Sequence, residues 1–169
     1  MSALFPTGVA ANGNVKVVWV NTIADPTAPT ATELNAAGAV DLSCVLTGIS
    51  TGYSQETSED TRLCSTQVFQ SPGAITYSVE DLEYIVTPQD DSPTGENKAA
   101  IQLTPGETGF LVLRWGALYS GAFAADDVVD VYPGSLGGSA KIYERNSKIR
   151  ARQGFIVTAP GAQLDVAVA

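Results

Sequence analysis

The chain has 169 residues, enough for a single domain with a substantial buried core. Hydrophobic residues make up 44% of it and charged residues only 16%, below the roughly 25% of typical soluble domains, which argues against global disorder. The formal net charge is −9, from 18 acidic and 9 basic residues, and argues against a module that grips DNA, because such binding requires Lys and Arg to displace counterions from phosphates.

Residues 1–30 are predicted to form an N-terminal arm with one short strand, Val15–Val20, which carries Trp19 as a core or interface anchor. Pro26 and Pro29 follow; they impose an extended path and remove two possible ladder donors. Such a segment is expected to lie over another surface, either of its own domain or of a neighbouring subunit. The N-terminus lacks the pattern of a signal peptide, and no apolar run approaches a membrane span.

Residues 31–169 are predicted to form one β-domain. Residues 32–37 indicate at most one helical turn, and residues 40–47 alternate apolar and polar as a half-buried strand does. The polar, acidic stretch 48–60 is either a mobile loop or the far end of a long hairpin. Strand character is expected to resume at residues 62–69, before a turn at residues 71–73.

Residues 78–86 are the one good helix candidate. Ser78 suits an N-cap, and the acids at positions 80 and 81 suit the positive end of a helix dipole. Val79, Leu82 and Ile85 fall on one helical face. In a β-rich chain, one amphipathic helix is expected to cover an open end of a sandwich or barrel, so the predicted fold is an antiparallel β-sandwich or small barrel with one flanking α-helix.

The second half is predicted to consist of strands and turns. Residues 110–115 are apolar on both faces except for Arg114, which is typical of a central strand. Strands are expected at residues 128–132, 140–144 and 147–157, followed by a short tail at 164–168. Residues 99–103 precede a Pro-Gly turn at 105–106, and a second Pro-Gly turn is expected at 133–134.

The sequence predicts no catalytic residues, metal site, cofactor or enzymatic activity. Histidine, the commonest general base and metal ligand, is absent. The acids at residues 80–83 are interpreted as helix-capping and surface groups, and those at residues 126–130 as turn acids that lack a calcium-loop spacing. Cys44 and Cys64 are interpreted as buried reduced thiols in strands, although a disulfide between neighbouring strands is geometrically possible.

Basic residues concentrate at the C-terminal end. Residues 141–169 hold five of the nine, and Lys148, Arg150 and Arg152 share one face of a strand at period two. Two interpretations remain open. One is a solvated edge strand that charge protects from aggregation. The other is an electrostatic seam that meets an acidic surface of another copy, such as Glu56, Glu59 and Asp60.

Several segments resemble the major tail tube proteins of long-tailed, non-contractile (siphovirus) phages, especially those of actinobacterial hosts. The likeness spans nearly the whole chain and consists of packing patterns rather than a catalytic signature. Its segments are ADPTAPTATELN (24–35) running into VDLS (40–43), DTRLC (60–64), SVEDLEY (78–84), NKAA (97–100) and residues 106–115.

The resemblance implies a virion structural protein whose copies form rings, typically hexameric, that stack into the tail tube around the tape measure protein. In that family inner strands join between subunits, and loops and terminal arms link successive rings. It implies contacts with tail terminator and tail tip proteins, passage of DNA without specific binding during ejection, no membrane, and assembly in the host cytoplasm. Candidate inter-subunit contacts are Trp19, Pro26, Pro29, Glu56, Glu59, Asp60, Lys148, Arg150 and Arg152.

Two alternatives remain open. One is another virion β-protein, such as a head–tail joining or capsid decoration protein. The other is a carbohydrate-binding or adhesion β-sandwich.

Overall fold

A computed structural model describes residues 7–64 and 66–169. Within these ranges the chain is mainly β, as predicted, with ten strands and two short helices. The strands are β1 (Val15–Val20), β2 (Val40–Asp41), β3 (Leu46–Gly48), β4 (Thr51–Asp60), β5 (Phe69–Val79), β6 (Leu82–Ile85), β7 (Thr108–Trp115), β8 (Val128–Ile142), β9 (Arg150–Val157) and β10 (Gln163–Ala167), and the helices are α1 (Ala31–Leu34) and α2 (Lys98–Gln102).

Eight strands form one curled antiparallel sheet with the shape of a half-barrel. Its order is β2-β1-β7-β8-β9-β6-β3, and β10 pairs with β8 beside the end of β9. The remaining strands, β4 and β5, pair only with each other and form a long hairpin. This hairpin continues the β3–β6 pair, because the backbone N–H of Glu80 donates to the carbonyl of Ser50 at 2.9 Å between the two ladders.

The centre of the sheet is buried on both faces. Leu111 and Leu113 of β7 belong to a cluster inside the half-barrel, while Val112 belongs to a second cluster on the opposite face with Val18 and Val131. The central strand predicted at residues 110–115 is therefore confirmed. A strand with two buried faces needs apolar side chains at both parities, which is why its sequence shows no alternation.

The segment predicted as an arm contributes a strand to this core. β1 pairs with β7 along its whole length, and Trp19 is 0% exposed. Pro29 is also buried, and its carbonyl accepts a hydrogen bond of 2.9 Å from the backbone N–H of Ala169, so the Pro-containing segment lies over its own domain. Residues 1–6 of the predicted arm lie outside the described residues.

The prediction of a helix at residues 78–86 is wrong, because this segment holds the end of β5 and the strand β6. Leu82, Tyr84 and Val86 are buried and alternate with half-buried neighbours, so the burial period is two rather than 3.6. β6 pairs with β9, and the Tyr84 hydroxyl donates to the buried Gln153 side chain at 3.0 Å. The apolar residues of this segment fit both periods, and pairing with β9 selects the strand.

The two helices lie elsewhere and are short. α1 overlaps the single helical turn predicted at residues 32–37 but begins at Ala31, and a capping box between Thr30 and Glu33 closes its first turn. Backbone N–H groups of Ala24 and Thr30 bind the Glu33 carboxylate and lower its pKa. α2 lies at residues 98–102, where no helix was predicted, and Ala99 and Leu103 are buried in the core.

Two predicted Pro-Gly turns are strand interiors instead. Pro72 lies in β5 beside a β-bulge that absorbs one extra residue. Pro133 lies in β8 opposite Phe110, and its carbonyl accepts from the backbone N–H of Thr158 at 2.9 Å. The strand predicted at residues 128–132 and the first three residues of the one predicted at 140–144 therefore belong to the single strand β8.

Two glycines face each other at the centre of the sheet. Gly109 of β7 pairs directly with Gly134 of β8. The ring of Trp19 covers the first and the ring of Phe155 covers the second, and the two rings meet edge to face at 6.2 Å between centroids. The missing side chains leave room for both rings.

Replacing Gly134 by Ala is expected to lower the free energy of unfolding by about 1–3 kcal/mol, the usual cost of overpacking a core. An added Cβ would lie 2.3 Å from Cζ of Phe155 and 2.8 Å from the carbonyl oxygen of Ile156, which is backbone and cannot turn aside. Urea unfolding measures the effect. Gly138→Ala on the same strand is the control, since its added Cβ would meet nothing within 4 Å. Equal stability of the two variants would contradict the close packing of the Phe155 ring over Gly134.

Candidate functional site

The most exposed part of the described chain is the hairpin of β4 and β5, here called the acidic hairpin (residues 51–79). The pairing runs from Thr51 opposite Val79 to Asp60 opposite Phe69. At about 3.3 Å per residue, the ten residues of β4 span about 33 Å. Residues 51–60 thus form one strand of a long hairpin, and of the two alternatives predicted for residues 48–60, a mobile loop or the far end of a long hairpin, the structure favours the hairpin. The prediction of a strand at residues 62–69 is wrong, because β5 begins only at Phe69.

The acidic hairpin carries three exposed acids and one base. Glu56, Glu59 and Asp60 lie on β4. The Arg62 guanidinium pairs with Asp60 at 2.9 Å, and the Gln70 amide donates to Glu59 at 3.2 Å. Glu56 forms no ion pair within the described ranges, so the hairpin presents net negative charge to its surroundings.

The tip of the acidic hairpin is also apolar. Leu63 is fully exposed, Val68 is more than half exposed, and Phe69 is 56% exposed. Tyr53 and Ile75 add exposed apolar surface nearer the base, on the face of the hairpin opposite to the one that carries Phe69. Large exposed apolar groups that lie together mark an interaction surface more often than groups scattered singly.

A second exposed element is the turn between β8 and β9, here called the basic turn (residues 141–149). A backbone hydrogen bond from Ser147 to Glu144 closes it, and Asn146 has a φ of 64°, which Asn tolerates better than most residues. Its exposed cations are Lys141, Arg145 and Lys148, and none of them forms an ion pair with any residue the structure describes.

The two arginines of the predicted seam bind their own chain. Arg150 contacts the carboxylates of Glu83 and Glu144, and Arg152 contacts Glu83 at 3.3 Å. Lys148 precedes β9 and lies in the turn rather than on the strand. The structure therefore separates Lys148, which is free for a partner, from Arg150 and Arg152, whose charges are already matched.

The remaining predicted contact residues are divided between core and surface. Trp19 and Pro29 are buried within the chain and offer no surface to a neighbour, and Pro26 is half-buried. Trp115, on the rim of the sheet, is 44% exposed and donates its indole N–H to Asp130 at 2.7 Å. The sequence did not lead us to predict Tyr143, Lys141 or Arg145 as contacts. The feature that could have indicated them is an aromatic residue placed among cations in a polar turn.

A pair of buried cations organises the loop that follows β7. The Arg114 guanidinium pairs with Asp127 at 2.6 Å and donates to the carbonyl oxygens of Leu118, Gly121 and Ala122. The Lys16 ammonium donates to the same Gly121 carbonyl at 2.9 Å. These contacts fix the shape of the loop, and they leave the Arg114 charge facing inwards.

The acids of residues 126–130 hold this region together. The pKa of the Asp127 carboxyl is lowered, first because the backbone N–H of Ala124 binds it and then through Arg114, against the opposing effect of burial. Asp130 accepts from Trp115 and from the backbone N–H of Asp165. Within residues 7–64 and 66–169, no group of three or more Asp, Glu or Cys side chains is arranged to hold a metal ion.

An open cleft lies at one end of the half-barrel, beside β1 and β3. It has a volume of about 530 Å³, and Val15, Leu46, Trp115 and Tyr119 contribute its apolar walls. Cys44 lines it as well. Both Cys44 and Cys64 are free thiols, but the prediction that they are buried in strands is wrong, because each lies exposed in a turn.

The sheet ends in short or irregular edges. β2 contains two residues and β3 contains three. β10 has a bulge between Gln163 and Val166, where Asp165 adopts a φ of 53°. Short and bulged edges resist uncontrolled strand addition, so any pairing with another chain at these edges has to be specific.

None of the helices among the described residues is long and apolar enough to cross a membrane. A family model described as "Phage tail tube protein" matches residues 3–169, which include the sheet, the acidic hairpin and the basic turn. No curated protein matches the chain.

Proposed function

The chain belongs to the phage tail tube protein family, and from this premise we propose that its copies form hexameric rings that stack into the tail tube and conduct DNA during ejection. The observation that carries the proposal is the family match over residues 3–169. The role is structural and involves no turnover chemistry. The tube would contain the tape measure protein before ejection and end at the tail terminator and tail tip proteins.

Ring closure is supported by the state of the sheet edges. A half-barrel that does not close on itself leaves edge strands, here β2, β3 and β10, with unpaired backbone groups on one side. A ring removes such edges by placing each against a neighbour, and a head-to-tail contact repeated with a fixed rotation closes into a ring. In this proposal the sheets of adjacent copies line the bore together.

Passage of DNA is supported by the charge of the chain. A net charge of −9 repels phosphates, and repulsion suits a conduit through which DNA passes without adhesion. Five of the nine bases, namely Lys16, Arg62, Arg114, Arg150 and Arg152, contact carboxylates of the same chain. Few cations therefore remain to hold DNA.

Electron microscopy of the purified protein at rising concentration tests the proposal. Long tubes of uniform diameter are the expected result. Monomers, or isolated small oligomers that do not stack, would contradict it and would favour a decoration or joining role in the virion.

Removing the acidic hairpin is expected to abolish tubes and leave the monomer folded. A variant in which Asn-Gly joins Thr51 to Val79 keeps the facing ends of the two strands and supplies a two-residue hairpin turn. The variant removes residues 52–78, which are exposed wherever the structure describes them except for Tyr77, a half-buried residue at the edge of the core, so the core loses one peripheral contact. Microscopy measures tubes, and thermal unfolding of the soluble fraction controls for folding. Tubes of normal length from a variant that melts like the parent would show that the hairpin has no part in assembly.

A further inference from the structure

We propose that the basic turn of one copy docks on the acidic hairpin of a second copy, and that this contact links successive layers of the assembly. The inference rests on the proposed function and names the surfaces that meet. It replaces the seam predicted at Lys148, Arg150 and Arg152, since only Lys148 of these three is free of ion pairs within the described part of the chain.

Charge is the first argument. The basic turn offers Lys141, Arg145 and Lys148, all exposed and without ion-pair partners among the residues described. The acidic hairpin offers Glu56 and Glu59, which are exposed and form no ion pair with any cation that the structure describes. The two surfaces therefore carry unmatched charges of opposite sign, and such surfaces steer association and fix its register.

Exposed apolar groups at both sites are the second argument. Tyr143 in the basic turn is 85% exposed and Ile149 is about half exposed. The acidic hairpin presents Leu63, Val68 and Phe69 at its tip. Each surface thus combines an apolar patch with charges around it, the arrangement of a specific protein interface.

The course of the strands excludes docking within one copy. The basic turn lies at the Arg150 end of β9, which pairs with Ile85 of β6. The opposite end of that ladder, at Leu82 and Gln153, is where β6 approaches the acidic hairpin, which then runs on for about 33 Å. The two surfaces lie at opposite ends of one ribbon, so copies joined through them stack head to tail, as layers of a tube do.

Paired charge reversals test the contact. K141E/K148E and E56K/E59K are each expected to reduce sedimentable tubes at least about tenfold, because each places like charges opposite one another. An equimolar mixture of the two variants, or one chain with all four changes, is expected to restore tubes because opposite charges then face each other again. The control D91K/E96K changes two exposed acids outside both surfaces and alters net charge as E56K/E59K does.

The outcomes separate this inference from the proposed function. If the parent forms tubes and neither reversal affects them, the docking contact is wrong and the tube role stands. If the reversals abolish tubes and neither the mixture nor the four-change chain restores them, the pairing of these two surfaces is also wrong. If the parent forms no tubes, both proposals fall.

Cross-linking supplies a second measurement. In a Cys44→Ser background, Cys64 lies in the turn of the acidic hairpin, and Tyr143→Cys places a second thiol in the basic turn. Mild oxidation of the assembled protein is expected to give covalent ladders well beyond the dimer, since each copy joins two others. Dimers alone would show like positions meeting and would overturn the contact.

Discussion

Replacing Arg114 by Met is expected to lower the free energy of unfolding by about 3–5 kcal/mol, the usual cost of breaking a buried ion pair from one side. The Arg114 side chain is almost completely buried and Asp127 is its ion-pair partner. Methionine keeps most of the aliphatic length, so the loss comes from the unpaired carboxylate and from the hydrogen bonds to three carbonyl oxygens, of which those of Leu118 and Gly121 keep a second donor.

The stability that Asp127 contributes also has a defined pH dependence. Its pKa is lowered in the folded chain relative to an unfolded value of about 3.9. The contribution is therefore fully present above that unfolded value and is lost as the pH falls through the folded pKa. We expect the difference in stability between the parent and R114M to shrink across this acidic range.

Urea unfolding at several pH values measures both effects. Arg152→Met is the matched control, because its guanidinium is exposed and its pair with Glu83 at 3.3 Å should contribute less than about 1 kcal/mol. A loss for R114M no greater than that of the control would show that the Arg114 cluster does not stabilise the fold.

Replacing Trp19 by Ala is expected to lower the free energy of unfolding by about 3–5 kcal/mol. The ring is 0% exposed, lies against Gly109, and meets Phe155 edge to face. The loss comes from packing, because the indole N–H has no hydrogen-bond acceptor among the described residues. The effect should appear in the isolated monomer, before any assembly.

Trp115→Ala is the matched control for the same chemical change at a partly exposed site. It should cost far less, since Trp115 keeps 44% of its surface in solvent and makes one hydrogen bond, to Asp130. Thermal and urea unfolding of dilute monomer compare the two. If W19A were as stable as the parent but failed to assemble, Trp19 would belong to an interface rather than the core.

The β class and the central strand could be predicted from sequence because they depend on local composition. Residues 110–115 are apolar at both parities, and a strand buried on both faces requires that pattern. A single helical turn was also predicted, at residues 32–37, although its capping box between Thr30 and Glu33 was not.

The errors arose where tertiary pairing overrode local signals. Residues 78–86 satisfy a helical and a strand period at once, and only the ladder with β9 decides between them. Pro133-Gly134 has turn composition, yet Gly134 is needed in β8 because Phe155 occupies the space over it. In both cases the partner, β9 for residues 78–86 and Phe155 for Gly134, lies far away along the chain.

The candidate surfaces were predictable only in part. Acids at positions 56 to 60 and bases in the last thirty residues were visible as a charge asymmetry. That Glu83 neutralises Arg150 and Arg152 was not visible, because Glu83 lies more than sixty residues away in the chain. Only when these ion pairs within the chain are known can the cations without an ion pair among the described residues, Lys141, Arg145 and Lys148, be told apart from Arg150 and Arg152.

The facing glycines also constrain how this sequence can diverge. Gly109 lies under the Trp19 ring and Gly134 under the Phe155 ring, and a Cβ added at either would also lie 2.8 Å from a backbone carbonyl oxygen, so a side chain there requires both a smaller ring and a small shift of the neighbouring strand. Substitutions here should therefore be inherited in pairs across strands, and a lineage that loses one glycine should show a reduced ring at the matching position. Gly109, Gly134, Trp19 and Phe155 are therefore expected to change together rather than one at a time.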